Sequence, residues 1–315
     1  MSANRLLIIG GPTGVGKSDI ALKLAQELDG EIISADSVAV YKGLDIGSAK
    51  PDAAMMAQVR HHLIDILNPD EYFGIDEFVR YGKAALDDIY SRGKLPIITG
   101  GTGFYIQALI YGIDFEDEED HNDGYREKLY DISNEQDGVT KLYNMLTNTD
   151  PEYAATVHPN NVKRVIRALE YCHHTGRLFS ELNNEQRNRT SPYDFIYTAI
   201  DMDRDKLYER INKRVDIMIN KGLVDEVRGL LDSGYGRELN SMSSIGYKEI
   251  CSYIAGECDL DTATEDIKRN SRHYAKRQLT WLRREREVHM IMRDLTPDSD
   301  ERIMDSIREL IYNYE

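Results

Sequence analysis

Eight consecutive residues, Gly11-Pro12-Thr13-Gly14-Val15-Gly16-Lys17-Ser18, satisfy the pattern GxxxxGK[ST] at every position. The pattern has a physical reason. Glycines let backbone N–H groups turn inward around phosphate oxygens, a helix N-terminus adds its positive end, and the Lys17 ammonium supplies a compact charge. The Ser18 hydroxyl suits a Mg²⁺ ion that accompanies a di- or triphosphate. These residues read as a phosphate site, but they do not specify the chemistry. The guanine-reading NKxD and the DxxG switch are both absent, which excludes a switch GTPase. The strand Leu95-Pro96-Ile97-Ile98-Thr99 runs into Gly100-Gly101-Thr102, with no acid where a hydrolase usually holds its metal. A small-molecule or nucleotide kinase acting on ATP stays open at this point, as does a non-catalytic phosphate binder.

The surrounding pattern says what must position the loop. Leu6-Leu7-Ile8-Ile9 is a short apolar run, as expected of a strand buried on both faces. A helical pattern follows Ser18, with Ala21, Leu24, Ala25 and Leu28 on one face. Glu31–Ala35 predicts a second strand ending at Asp36, 76–91 a helix, and 95–99 a third strand. Strand–helix alternation implies an α/β fold with a parallel P-loop sheet. Asp36 is then expected at the C-terminal end of the strand beside the P-loop strand, where such sheets carry their sites. A lone Asp at a strand end otherwise caps the following turn. Residues 116–192 read as a helical insertion, ending in a polar loop at 181–192, between core segments 1–115 and 193–315. Eight acids between Asp114 and Glu127 read as a solvated surface stretch. Strand returns at 195–200. Leu207, Ile211, Val215 and Met218 then form one helical stripe, with Arg210 and Arg214 beside it at i and i+4.

Charge at first argues against a nucleic-acid partner: 39 basic against 55 acidic residues give −16. The distribution along the chain points the other way. Between Lys268 and Arg286 there are eight basic residues and one acid, and Arg269, Arg272, Lys276 and Arg283 fall on one helical strip beside Ala275, Leu279 and Leu282. That strip suits an RNA backbone, with Trp281 as core residue or stacking platform. Lys163, Arg164 and Arg167 add a second patch. Three cysteines without a CxxC pair argue for reduced thiols. His61-His62 and His173-His174 show no third ligand at metal-binding spacing. No apolar run reaches the roughly 20 residues of a membrane span, and the N-terminus lacks a signal-peptide core, so a cytoplasmic protein is expected.

Further blocks follow the P-loop in order: IISADSVAVYKGLDIGSAKP (32–51), HHLIDILNPDEYFGIDEF (61–78), LPIITGGTGFYIQALIYG (95–112), HPNNVKRVIRALE (158–170), SSIGYKE (243–249) and AKRQLTWLR (275–283). Together they resemble the bacterial-type tRNA dimethylallyltransferases from about residue 6 to 290, without the C-terminal zinc finger of longer eukaryotic members. The resemblance implies transfer of a dimethylallyl group from dimethylallyl diphosphate to N6 of the adenosine beside the anticodon. It implies Asp36 as the base and Arg214, with Lys17 and Arg210, on the diphosphate, with Mg²⁺ on Ser18. Thr102 is implied as catalytic and tRNA-contacting. Ser37, Val38, Ala39, Arg126 and the run Lys163-Arg164-Val165-Ile166-Arg167 are implied to touch tRNA, joined by Arg272 and Lys276 from the basic strip. The insertion is expected to close over the anticodon arm, and the enzyme to act as a monomer.

Overall fold

The computed structural model describes residues 4–113 and 123–313. These divide into two compact units, one formed by the described parts of 1–110 and 192–315 and the other by those of 111–191. Most of the acidic stretch, 114–122, lies outside the described residues.

The larger unit is built on six parallel strands: β1 (Arg5–Gly10), β2 (Gly30–Ala35), β3 (His61–His62), β4 (Leu95–Gly100), β5 (Asp194–Met202) and β6 (Val288–Arg293). Their order across the sheet is β3-β2-β4-β1-β5-β6. This corrects one expectation: β4 lies between β1 and β2, so Asp36 does not follow the strand beside the P-loop strand. It still emerges at the same end of the sheet, because Ala35 of β2 and Gly10 of β1 both register with Gly100 of β4. Strands β1 and β2 are buried along their whole length, which is why they read as unbroken apolar runs.

Helices α1 (Lys17–Glu27), α2 (Ala53–Gln58), α3 (Ile75–Ser91) and α4 (Gly103–Tyr111) follow β1 to β4 in chain order. After the smaller unit come α10 (Arg204–Asn220), α11 (Leu223–Asp232), α12 (Tyr247–Ile254), α13 (Leu260–Leu282) and α14 (Ser299–Asn313). On α1, Ile20, Ala21, Leu24 and Ala25 pack on the sheet with Leu207 and Ile211 of α10 and Ile303 and Ile307 of α14. The predicted stripe of α10 is buried at all four positions.

The smaller unit holds α5 (Tyr125–Asn134), α6 (Gly138–Thr149), α7 (Pro151–Ala154), α8 (Val162–Thr175) and α9 (Phe179–Asn188), with a core of its own. The polar segment expected as a loop is α9 through residue 188. Phe179 anchors it in that core, and Glu181 accepts the Leu178 N–H at its start. Val165 and Ile166 also belong to this core, at 1% and 2% exposure. Their expected contact with tRNA is therefore corrected: a side chain that supplies apolar burial inside the unit has no surface left for RNA.

Candidate active site

The P-loop follows β1 and runs into α1. Gly16 precedes the helix with φ 91°, a left-handed conformation that favours glycine, and a Cβ there would also strike the Arg293 guanidinium. Two arginines hold the loop by its carbonyls. Arg210 Nε donates to Gly14 O at 3.0 Å, and Arg293 Nη1 donates to Val15 O at 2.8 Å. A trans peptide carries its N–H opposite its C=O, so anchoring the Val15 carbonyl turns the Gly16 N–H to the other side. Thr13 N–H is bound by Gln278 Oε1 at 2.8 Å, while Gln278 Nε2 donates to Gly101 O at 3.0 Å. One buried glutamine thus joins the ends of β1 and β4. Gly101 and Gly103 leave the room this needs, because a Cβ at either would collide with Gln278 or Trp281.

Beside the loop opens a cleft of ≈ 360 Å³ lined by Lys17, Ser18, Asp36 and Arg214. Burial, then the charge of Arg214, lowers the Lys17 ammonium to about pKa 8, with Asp36 pulling it back up. Burial also lowers Arg214, again against Asp36. Two cations facing one carboxylate leave the cleft short of negative charge. Arg214 Nη1 donates to Thr13 Oγ1 at 3.1 Å and Nη2 reaches Ser48 O at 3.4 Å. Asp36 does cap its turn: Oδ1 accepts the N–H groups of Val38 at 2.8 Å and Ala39 at 3.1 Å. Oδ2 is not used in that cap. The capping role and a carboxylate for chemistry are therefore compatible in one side chain.

The remaining walls come from distant segments. Glu226 of α11 accepts the N–H groups of Asp45 at 3.1 Å, Ile46 at 2.8 Å and Gly47 at 3.2 Å, and the Tyr247 hydroxyl at 2.7 Å. It thereby ties the Asp45-Ile46-Gly47 turn to α12, and Gly47 must be small because the Tyr247 ring lies against it. Ile267, Ser271, Tyr274 and Gln278 present one face of α13 to the cleft, with Arg277 beside them. Burial, followed by the Asp36 charge, raises the Tyr274 pKa, with Thr102 and Gln278 nearby pulling it back down.

Two sequence models match the chain: IPP transferase over residues 39–285 and isopentenyl transferase over 4–71. The chain belongs to the IPP transferase family. It is 48% identical over 283 residues to the tRNA dimethylallyltransferase of Lachnoclostridium phytofermentans, covering 90% of each. To that of Acetivibrio thermocellus it is 46% identical, over 97% of this chain and 96% of the relative. Among solved structures, the tRNA isopentenylpyrophosphate transferase of Bacillus halodurans superposes with TM-score 0.73 at 40% identity, over 99% and 96% of the two chains. A eukaryotic dimethylallyltransferase solved acting on tRNA gives TM-score 0.82 at 30% identity, over 98% of this chain and 80% of that one. Family membership displaces the kinase alternative.

In this IPP transferase the cleft gathers Thr13, Lys17, Ser18, Asp36, Ser37, Val38, Ala39 and Arg214. Thr102 is not among the residues that line it, but its N–H donates to Ala35 O at 3.3 Å, one residue before Asp36. Gly11, Pro12, Gly14, Val15 and Gly16 complete the loop beside the cleft. Arg210 is exposed and donates its Nε to Gly14 O at the loop, outside the residues that line the cleft. Arg272 is half-buried and bound to Asn212 Oδ1 at 2.6 Å, bracing α13 on α10. Much of the basic strip is locally neutralised, Lys268 by Asp216 and Glu265, Arg269 by Asp266, and Arg283 by Asp201. Lys276 remains exposed. Trp281 stands edge-on to Phe104 at 5.7 Å and is a packing residue. In the smaller unit Arg126 forms a bidentate pair with Glu170, Lys163 and Arg164 are exposed, and Arg167 lies over Phe179. Gln278, Tyr274, Arg277, Glu226 and Arg293 are residues that sequence reasoning does not single out. Only the i, i+4, i+7, i+11 spacing of 267, 271, 274 and 278 signals a shared face.

Proposed function

We propose that this chain is a tRNA dimethylallyltransferase. It transfers the five-carbon group of dimethylallyl diphosphate to N6 of the adenosine adjacent to the anticodon. The observation that carries the reading is the juxtaposition of a P-loop and two half-buried cations with a carboxylate in one cleft. Lys17, Arg214 and the P-loop amides hold the diphosphate. As the C–O bond to the donor breaks, negative charge collects on the leaving group, and these groups stabilise it most at that moment. N6 forms the new C–N bond, and Asp36 takes the proton that N6 must lose. Thr102, whose N–H donates to Ala35 O next to Asp36, would hold the nucleobase, and Ser37-Val38-Ala39 would form its bed.

The Ser18 hydroxyl is a hard oxygen donor that would suit Mg²⁺ alongside the oxygens of a bound diphosphate. When bound, Mg²⁺ neutralises part of the diphosphate charge. Lys276, Lys163 and Arg164 offer charge to the RNA backbone. No helix among the described residues is long and apolar enough to cross a membrane. The test is direct. Unmodified tRNA is incubated with Mg²⁺ and either dimethylallyl diphosphate or ATP, and its nucleosides are analysed by mass spectrometry. A dimethylallyl-adenosine appearing only with the prenyl donor supports the reading, and its absence refutes it.

A further inference from the structure

Among the described residues, one group of three metal-ligating side chains closes on itself. Asp123, His173 and His174 bring their ligand atoms within 4.8 Å of one another. The sequence conceals the trio because Asp123 stands fifty residues before its partners. We propose that these three residues form a binding site for a divalent cation of the zinc class, separate from the transferase cleft.

The geometry supports this in three ways. Asp123 Oδ2 lies 3.6 Å from His173 Nε2 and 3.9 Å from His174 Nδ1. Ligands held at about 2.0–2.1 Å around a tetrahedral ion stand about 3.4 Å apart, so a small closing rotation brings the set to bonding distance. The ligands are also pre-oriented. Asp123 Oδ1 accepts the Tyr125 N–H at 2.9 Å, which aims Oδ2 at the histidines, and the Tyr125 ring stacks on His173 at 3.8 Å and 15°. Fixing ligands through a second layer of contacts is how metal sites set affinity. Finally, both histidines lie in the last turn of α8, where the helix carbonyls favour a cation.

The donor set decides the metal. Two imidazoles and one carboxylate suit zinc, cobalt or nickel, whereas Mg²⁺ and Ca²⁺ prefer all-oxygen shells. Asp123 and His173 are about half exposed, leaving the remaining coordination positions to water. A bound ion would pin the residues just before α5 to the end of α8, beside the Arg126–Glu170 pair that already joins those helices. The site would therefore stiffen the smaller unit and take no part in transfer.

The experiment uses the full chain without an affinity tag. Zn²⁺ binding is followed by calorimetry, and Co²⁺ binding by its visible absorption, with Zn²⁺ and Mg²⁺ as competitors. The expected result is one equivalent per chain, displaced by Zn²⁺ and not by Mg²⁺, with a zinc-dependent rise in the unfolding midpoint. His173→Gln and Asp123→Asn should each weaken binding at least tenfold, and Tyr125→Leu by about tenfold. Asp123 and His173 are about half exposed and Tyr125 half-buried, so unchanged metal-free circular dichroism and unfolding midpoints check that the variants fold. Variants that bind zinc as the parent does, or a parent that binds none at one equivalent, would overturn the proposal.

Discussion

Lys17 makes a prediction in which donor binding and the stability of the free protein respond to pH in opposite directions. In the donor-free cleft its ammonium titrates at about 8 rather than 10.5, because burial and Arg214 disfavour its charge. A bound diphosphate supplies the missing negative charge and keeps the ammonium protonated. Donor affinity should then fall as pH rises through 8, by about tenfold between pH 7 and pH 9 for a single group of that pKa. At pH 8 binding should take up about half a proton per donor, because about half of the free protein has lost it. Calorimetry in two buffers of different ionisation enthalpy reads that uptake directly. The last ionisation of the donor itself lies near 6, below this window. Stability has the opposite sign. Between 8 and 10.5 the unfolded chain binds more protons at this group than the folded one, so its unfavourable contribution is relieved as pH rises. The drop from 10.5 to about 8 corresponds to up to about 3 kcal/mol at 1.36 kcal/mol per pH unit. Lys17→Met should therefore be more stable than the parent at pH 7 by up to that amount, with the difference closing above pH 8. It should also bind donor weakly at every pH. A flat donor affinity from pH 7 to 9, with no proton uptake at pH 8, would refute the reasoning.

Three further variants separate the roles of residues in the cleft and on α13. Asp36→Asn keeps the oxygen that accepts the Val38 and Ala39 N–H groups, so the turn should hold while single-turnover transfer falls by about 10²–10⁴-fold; near-normal transfer would remove Asp36 as the base. The same substitution deletes the charge that raises Lys17, so the loss of donor affinity should begin at lower pH than in the parent. Lys276→Glu should weaken tRNA binding and reduce its log–log salt slope by at least about 0.7–0.9 for the lost phosphate contact, with donor affinity unchanged. Arg272→Ala, by contrast, should lower the unfolding midpoint because it breaks the brace to Asn212, and an unchanged midpoint would return Arg272 to the RNA surface.

How much of the molecule is readable from its sequence follows from which signals are local. Strands β1, β2, β4 and β5 announce themselves as apolar runs because both faces of each are covered. Strand β3 has only two residues, and β6 is an edge strand whose Met292 is 65% exposed, so neither offers such a run. Periodicity identifies strands but carries no information about their order, which is why the place of β4 between β1 and β2 is not legible in it. The P-loop and Asp36 are legible because their chemistry is written in adjacent residues. Glu226 is not, since its partners at 45–47 lie about 180 positions away and a single carboxylate on a polar helix has no pattern. The α13 face is hidden for a related reason: Ser271, Tyr274 and Gln278 serve a cleft and not a core, so the apolar stripe that marks a buried face is interrupted there.

The three arginines around the P-loop show how one residue type is divided between shaping a site and charging it. Arg210 and Arg293 hold the carbonyls of Gly14 and Val15, and Arg293 is further paired with Asp300. Their charge is spent on the outside of the loop, and their effect on a phosphate is geometric, through the direction of the amides. Arg214 lines the cleft with Lys17 and faces the Asp36 carboxylate there. Burial of charge, together with two cations against one anion, costs the free protein stability, as the lowered Lys17 shows, and a bound polyanion offsets part of that cost. A neutral ligand would offset none of the cost, so the arrangement selects for negative charge before any shape is read. Because the charge on a departing diphosphate grows as its carbon bond breaks, the same imbalance favours the transition state over the bound donor.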